Sequence, residues 1–350
     1  MKSIKNKLSA DGVDHEHSSA MKKEHMDKIL TWAKSDCPEI GSALHFIYVM
    51  LTKAPASGVH IGDDVKKRVT RRLEFLAFAL TAWIIWTRYG NDGSPIYLGL
   101  PRLSRCCELM KLKCGDIQMD NTWLDSVLVK YMRGEQDALT IDDMDVCCEI
   151  HLQHQKGWQK KEDKSFREID LRGKHWNFDG AMLLYPNLTA ANHYQIFPQP
   201  DLTSCDTFFW LLIWIRWVEY VHLVCPMADG GFIFPAVGEN RVVQPGEPLT
   251  QDSVQKMLSE ATAASGIEGK YLTHCFCRGG VQHWFIHAPN EEKWTMDVVR
   301  FWGGWAEGEQ VSIKSFISFL VEPVFFLTLY SIVAQHVDAL FTGRIACLRA

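Results

Sequence analysis

Three stretches of this chain are too apolar to face water and too short or too interrupted to cross a membrane. Leu73–Thr87 (LEFLAFALTAWIIWT) falls below the roughly 20 residues that a bilayer demands. Phe208–Val224 is broken by Arg216 and Glu219, and Phe316–Ala334 by Glu322 and Pro323. What remains is burial: helices apolar all round belong inside a large core, and 350 residues suffice to build one. A composition of 47% hydrophobic and 23% charged residues is that of a soluble globular protein, so no membrane partner is expected.

Charge and cysteine usage narrow the classes further. A net charge of −5 excludes a uniformly basic nucleic-acid binder, and any affinity for DNA must come from local basic patches. The N-terminus is polar throughout, with no signal-peptide pattern, which predicts reduced thiols in the cytoplasm or nucleus for the eleven cysteines. No CxxC occurs, and Cys275-x-Cys277 beside His274 lacks a second ligand pair at zinc spacing. No metal site is expected.

Periodicity divides the chain. Residues 1–20 are charged and rich in His and Ser, and read as a disordered tail. Residues 21–64 hold two helices between Lys22 and Lys53, broken near Pro38, followed by a linker, Ala54–Asp64. A long helix opens with the basic run Val65–Arg72 (VKKRVTRR) and turns apolar through Trp86. Leu103–Lys113 reads as an amphipathic helix with Leu103, Cys106, Cys107 and Met110 inward. Strands are predicted at Val127–Met132, Val146–Leu152 and Phe166–Leu171, the last two flanking the basic turn HQKGWQKKEDKS as a long hairpin. Helices follow at Asp201–Val224, Thr250–Ala264 (Thr250 as N-cap), Thr273–His287, Thr295–Trp302 and Val311–Glu322, with a short strand or turn at Gly231–Val237. The expected class is α+β, mostly α, with a small antiparallel sheet and no βαβ repeat.

Four places put cations or donors on surfaces. Arg105 stands one helical turn before Glu108. Lys156, Lys160, Lys161 and Lys164 crowd the hairpin turn. His274 and Arg278 are spaced to share a helix face, and Trp305 closes FWGGWAEG. Taken singly, each has an ordinary structural reading: an i,i+3 ion pair, a solvated turn, a polar helix face, a core tryptophan.

In this order the four resemble the pattern of tyrosine recombinases, the integrase family. QKGWQKKEDKSFREIDL, LTHCFCRGGVQHWF and FWGGWAEGE most resemble eukaryotic mobile-element recombinases of the crypton type, whose stretches read RKGWQKK, THCFRRGG and WWGGWAEGE. The likeness runs from about Lys66 to Glu322. It implies an integrase-like catalytic domain over residues 65–340, with 21–64 as a helical remnant of a core-binding domain. It also implies a tyrosine that attacks a DNA phosphodiester with neither metal nor cofactor. Arginines, His and Trp then neutralise the phosphorane oxygens while a lysine protonates the leaving 5′ oxygen. One such donor is typically worth about 3–4 kcal/mol of transition-state stabilisation. By position the resemblance gives Arg105 the first arginine's role, Glu108 the orienting carboxylate's and Lys156 the general acid's, with Lys160 and Lys161 as alternatives. His274 takes the motif histidine's place and Trp305 the Trp/His place in G-G-W. DNA contact is implied for Lys66, Lys67, Arg68, Arg71, Arg72, Lys160, Lys161 and Lys164.

Two departures shape the functional expectation. Three residues after His274, where the family has arginine, stands Cys277; Arg278 follows, about 100° further round a helix. The nucleophile's place falls on Phe319, or else Phe316, and a phenyl ring has no oxygen to form an ester. Tyr330 lies 25 residues past Trp305, beyond Pro323. The leading expectation is a nuclear, double-stranded-DNA-binding, recombinase-like protein of mobile-element origin, assembling on DNA as relatives do, with cleavage impaired. An active recombinase using Tyr330 and Arg278 is one alternative. A non-enzymatic interaction domain is another.

Overall fold

The protein is represented by a computed structural model, which describes residues 18–53, 61–85, 107–119, 121–134, 147–152, 193–200, 203–238, 242–273 and 275–288. The chain divides into two compact units, Met1–Gly304 and Trp305–Ala350, and every described residue belongs to the first.

Helices α1 (Lys23–Asp36) and α2 (Ile40–Thr52) are separated by the turn at Pro38, as the sequence predicts. Helix α3 (Asp63–Ile84) starts with Asp63 and Asp64 in its first turn, where carboxylates face the positive end of the helix dipole. From residue 73 to 85 every side chain is buried, which fulfils the expectation for the first apolar stretch. A single helical turn, Cys107–Met110, leads to strand β1 (Ile117–Gln118), and helix α4 (Asn121–Met132) follows. Strands β2 (Cys148–His151) and β3 (His193–Ile196) precede helix α5 (Thr207–Trp217), which continues as a π-helical turn, Val218–Leu223. Strands β4 (Pro235–Val237) and β5 (Val243–Pro248) form a second antiparallel pair. Helices α6 (Gln251–Ala264) and α7 (Cys275–Gln282) end the described part, the latter extended by a π-helical turn, His283–His287. The class is thus mostly helical with two small antiparallel sheets.

The core forms where α3 packs against α5 and α7. Phe78 meets Phe234 edge-on at 5.3 Å between ring centroids. The buried indoles also anchor backbone: Trp214 Nε1 donates to Ile233 O at 2.7 Å and Trp83 Nε1 to Met21 O at 2.9 Å. Each replaces a solvating water with a protein acceptor, as a buried N–H requires. Two helix starts, those at Thr207 and Gln251, are set by side-chain caps. Asp206 Oδ1 accepts from Phe209 N at 3.0 Å, so α5 begins at Thr207 rather than at Asp201. Thr250 Oγ1 accepts from Ser253 N at 3.2 Å, as expected.

Several expectations are corrected. Val127–Met132 is the second half of α4 rather than a strand. Leu124, Val127, Leu128 and Tyr131 are the buried residues, a helical i, i+3, i+4, i+7 stripe that a six-residue window rich in Val concealed. Lys113 is not helical. Its N–H donates to Asp116 Oδ2 at 2.9 Å, which turns the chain, and it bridges to Phe232. The β2 strand is found where predicted, but its partners are β1 on one side and β3 on the other. Beside Cys148–His151, then, the seat intended for Phe166–Leu171 is taken by His193–Ile196; residues 166–171 lie outside the described residues. Residues 18–20, at the edge of the stretch read as a tail, are among the described residues, and Ser18 and Ala20 are buried. Helices α1 and α2 pack on α3, α5 and α6 as well as on α4, within the same unit as the rest.

The π-helical turn after α5 ends at Val224, with φ +56° and 82% exposure. A β-branched residue in the left-handed region carries roughly 1–2 kcal/mol of strain, partly offset in a Gly replacement by the entropy of a freer unfolded chain. Val224→Gly is therefore expected to stabilise the protein by about 1 kcal/mol, a rise of about 2 °C for a unit of this size. Thermal unfolding monitored by circular dichroism checks this, and an unchanged or lower midpoint would rule out strain at Val224.

Candidate functional site

Helix α7 carries the motif that raised the functional question. All eight of its residues, Cys275 to Gln282, are buried, Cys277 and Arg278 among them. His274 lies outside the described residues, and the helix begins one residue after it. Arg278 is only 8% exposed. Its Nη1 donates to the main-chain oxygen of Ser18, at the far end of the sequence.

Residues 18–21 form a strap across this helix. Ser19 N donates to Lys270 O and Met21 N to Cys275 O, both at 2.9 Å. Leu272 N donates to Ser18 Oγ at 3.0 Å. Gly279 is what lets the strap cross so closely: a Cβ there would collide with the Met21 carbonyl and press on Trp83 Nε1. The Gly-Gly of the motif was thus a legible sign of close backbone approach, although nothing in the sequence says what approaches.

The basic run at the start of α3 meets carboxylates. Arg68 pairs with Glu39 and Arg71 with Glu260. Arg72 donates to Asp36 Oδ2 through Nε (3.0 Å) and Nη2 (2.7 Å), reaches Glu260 at 3.0 Å, and lies 4.1 Å above the Trp32 ring. Lys66 Nζ donates to Val221 O at 2.6 Å. Lys67 is exposed. Four of the five cations expected to bind DNA through this run are therefore tied to neighbouring elements. Sequence reading missed Asp36, Glu39 and Glu260 because no window holds both halves of any of these pairs.

Two turns into α3, Thr70 collects polar groups from the α5 side. Its hydroxyl donates to Lys66 O at 2.6 Å and accepts from Trp217 Nε1 at 2.9 Å. His222 Nε2 lies 2.8 Å from the same oxygen. A hydroxyl has one proton, already given to Lys66 O, so Nε2 of His222 must be the donor. Burial and then nearby Lys66 push this imidazole down to about 4. His283, against Trp83 at 5.3 Å, is also lowered to about 4, by burial first and Lys23 next. One more turn along α3, Glu74 is 3% exposed with an Oε1 that makes no hydrogen bond. Burial pushes its carboxyl up to about 8 against the pull of Arg71.

The remaining predicted residues fall as follows. Glu108 lies in the Cys107–Met110 turn. Arg105, Lys156, Lys160, Lys161, Lys164, Trp305, Phe319 and Tyr330 lie outside the described residues. In sequence, Lys156, Lys160, Lys161 and Lys164 fall between β2 and β3. Among the described residues no group of three His, Cys, Asp or Glu is arranged to hold a metal, and no helix is long and apolar enough to cross a membrane. No protein-family model and no curated protein matches the chain.

Glu74 yields a signed prediction. Its folded value, about 8, exceeds the ordinary 4.5, so the folded state holds a proton that the unfolded chain releases. The stability this contributes is present in full below pH 4.5 and is lost as pH rises through 8, at up to about 1.4 kcal/mol per pH unit. The histidines act oppositely, their contribution being lost as pH falls from 6.5 through about 4. Glu74→Gln is thus expected to gain stability over wild type at pH 8 and much less at pH 5. Urea denaturation at both values measures the difference, and an equal effect at the two pH values would contradict a buried, neutral Glu74.

Proposed function

We propose that this chain is a tyrosine-recombinase-like protein of mobile-element origin that binds double-stranded DNA in the nucleus without cutting it. The observation that carries the reading is the state of the motif helix. Cys277, with no charge to offer a phosphorane, stands at the second arginine's place. Arg278, the cation available beside it, is buried and donates to a main-chain carbonyl. That weighs against the alternative in which Arg278 and Tyr330 restore cleavage, since transition-state stabilisation needs donors preorganised towards the reacting phosphate. The stretch between β2 and β3 supplies cation-rich sequence for binding phosphates.

DNA binding in this reading rests on Lys67 and on Lys160, Lys161 and Lys164, while Arg68, Arg71 and Arg72 hold the fold together. The pairing of those arginines with acids is also what favours a second reading, a non-enzymatic interaction domain with no DNA affinity. Gel shifts over a salt series separate the two. We expect log affinity to fall linearly with log salt. Replacing Lys160, Lys161 and Lys164 together by Ala should lower the slope by about 3, roughly one for each phosphate left without its lysine. Arg71→Ala should leave the slope unchanged. Suicide DNA substrates should trap no covalent adduct. Absent or salt-independent binding would establish the interaction-domain reading, and a Tyr330-dependent adduct the active one.

A further inference from the structure

Helix α4 carries two stripes. The buried one is Leu124, Val127, Leu128 and Tyr131. At roughly 100° and 1.5 Å per residue, Trp123, Ser126, Lys130 and Arg133 share a second arc of about 80° along about 15 Å of axis. Arg133 continues the last turn, its N–H donating to Val129 O at 3.1 Å. Trp123 is 48% exposed, Ser126 and Arg133 are exposed, and Lys130 is half-buried. The one carboxylate on α4, Asp125, lies outside that arc, where its Oδ1 accepts from Arg216 Nε at 2.9 Å.

The row continues onto α2. Arg133 Nε donates to Tyr48 OH at 3.1 Å, and its guanidinium lies 5.7 Å from the centre of the Tyr48 ring. The exposed His45 stacks on the same ring at 6.5 Å. Helix α2 has no Asp or Glu between Ile40 and Thr52. The basic run of α3 is different in kind, since Arg68, Arg71 and Arg72 each face a carboxylate.

We infer that this face of α4 binds an unpaired nucleic-acid strand, with a base stacked on the Trp123 indole and the phosphates drawn to Lys130 and Arg133. A half-exposed tryptophan alone means little, because single apolar residues on a surface are ordinary. In line with two cations it becomes the combination that single strands use, an aromatic platform for bases beside positive charge for phosphates. A duplex has no use for the platform. Its bases are stacked on one another, so only an unpaired base presents a face to an indole. Arginine suits its place because a guanidinium keeps its charge while lying on an aromatic ring, and Tyr48, being neutral, does not cancel that charge. The site goes beyond the duplex binding proposed above and does not depend on it.

Fluorescence anisotropy of labelled oligo(dT) and oligo(U) with the full chain tests the site, with an oligo(dT)·oligo(dA) duplex for comparison. We expect Trp123→Ala to weaken single-strand binding about tenfold and Trp123→Phe to weaken it much less. Circular dichroism should show an unchanged unfolding midpoint for both, so that lost affinity is not lost fold. Lys130→Gln with Arg133→Gln should lower the slope of log affinity against log salt by about 1.4 for single strands. Should that double variant unfold, Lys130→Gln alone takes its place, with an expected change of about 0.7. Binding of either strand through Trp123 meets the expectation. The inference falls if the wild type binds neither oligo(dT) nor oligo(U), or if Trp123→Ala binds them as well as the wild type does. It falls equally if Trp123→Ala weakens duplex and single strand alike. A duplex bound without any single-strand binding leaves the proposed function standing and this site refuted. A single strand bound through Trp123 with no duplex binding does the reverse.

Discussion

The all-round burial of α3 over residues 73–84 is the constraint on which the rest of the structure depends. A helix without a solvent face needs packing partners on every side, and α5 and α7 supply two of them. Each partner brings its own tie. Trp217 from α5 reaches back to Thr70, and Trp83 of α3 reaches out to the strap beneath which α7 lies. The same burial has a cost at Glu74: desolvation pushes its carboxyl up to about 8, and its Oε1 makes no hydrogen bond. Carrying a carboxyl into such a position weakens the core at higher pH, opposite in sign to His222 and His283.

At its N-terminal end the same helix emerges into solvent and changes character. The basic run there faces acids brought by α1, by the turn before α2 and by α6, so a segment that looks like a phosphate-binding patch joins three elements instead. Exposed and partly exposed pairs of this kind are screened by water and each contributes little on its own. Arg72, stacked on Trp32 and bonded to two carboxylates, is held more firmly than the others. A cation so placed can exchange partners only by breaking contacts on both sides, which lowers its worth to a polyanion.

Burial likewise governs the motif helix. His274 and Arg278 have the spacing of a phosphate grip, yet the second of them points its donor at a carbonyl from the N-terminal strap. Resemblance to recombinases assigns roles by position along the chain, whereas the electrostatics of a site depend on which atoms each donor faces. On this point Cys277 and Arg278 tell the same story: one lacks the charge, and the other has it engaged in holding distant parts of the chain together.

The sequence by itself determined the helical core, the break at Pro38, the cap at Thr250 and the place of β2, because each rests on local periodicity or on a side chain bonding its own backbone. Its error at Val127–Met132 came from the same source, a β-branched run too short to reveal its period. Only the tertiary structure decided that Arg68, Arg71 and Arg72 face carboxylates, that β2 is flanked by β1 and β3, and that Ser18 sits on Arg278. These are pairings between residues up to 260 positions apart in the chain. No local propensity encodes such a pairing, because its free energy arises only once folding has removed both groups from water.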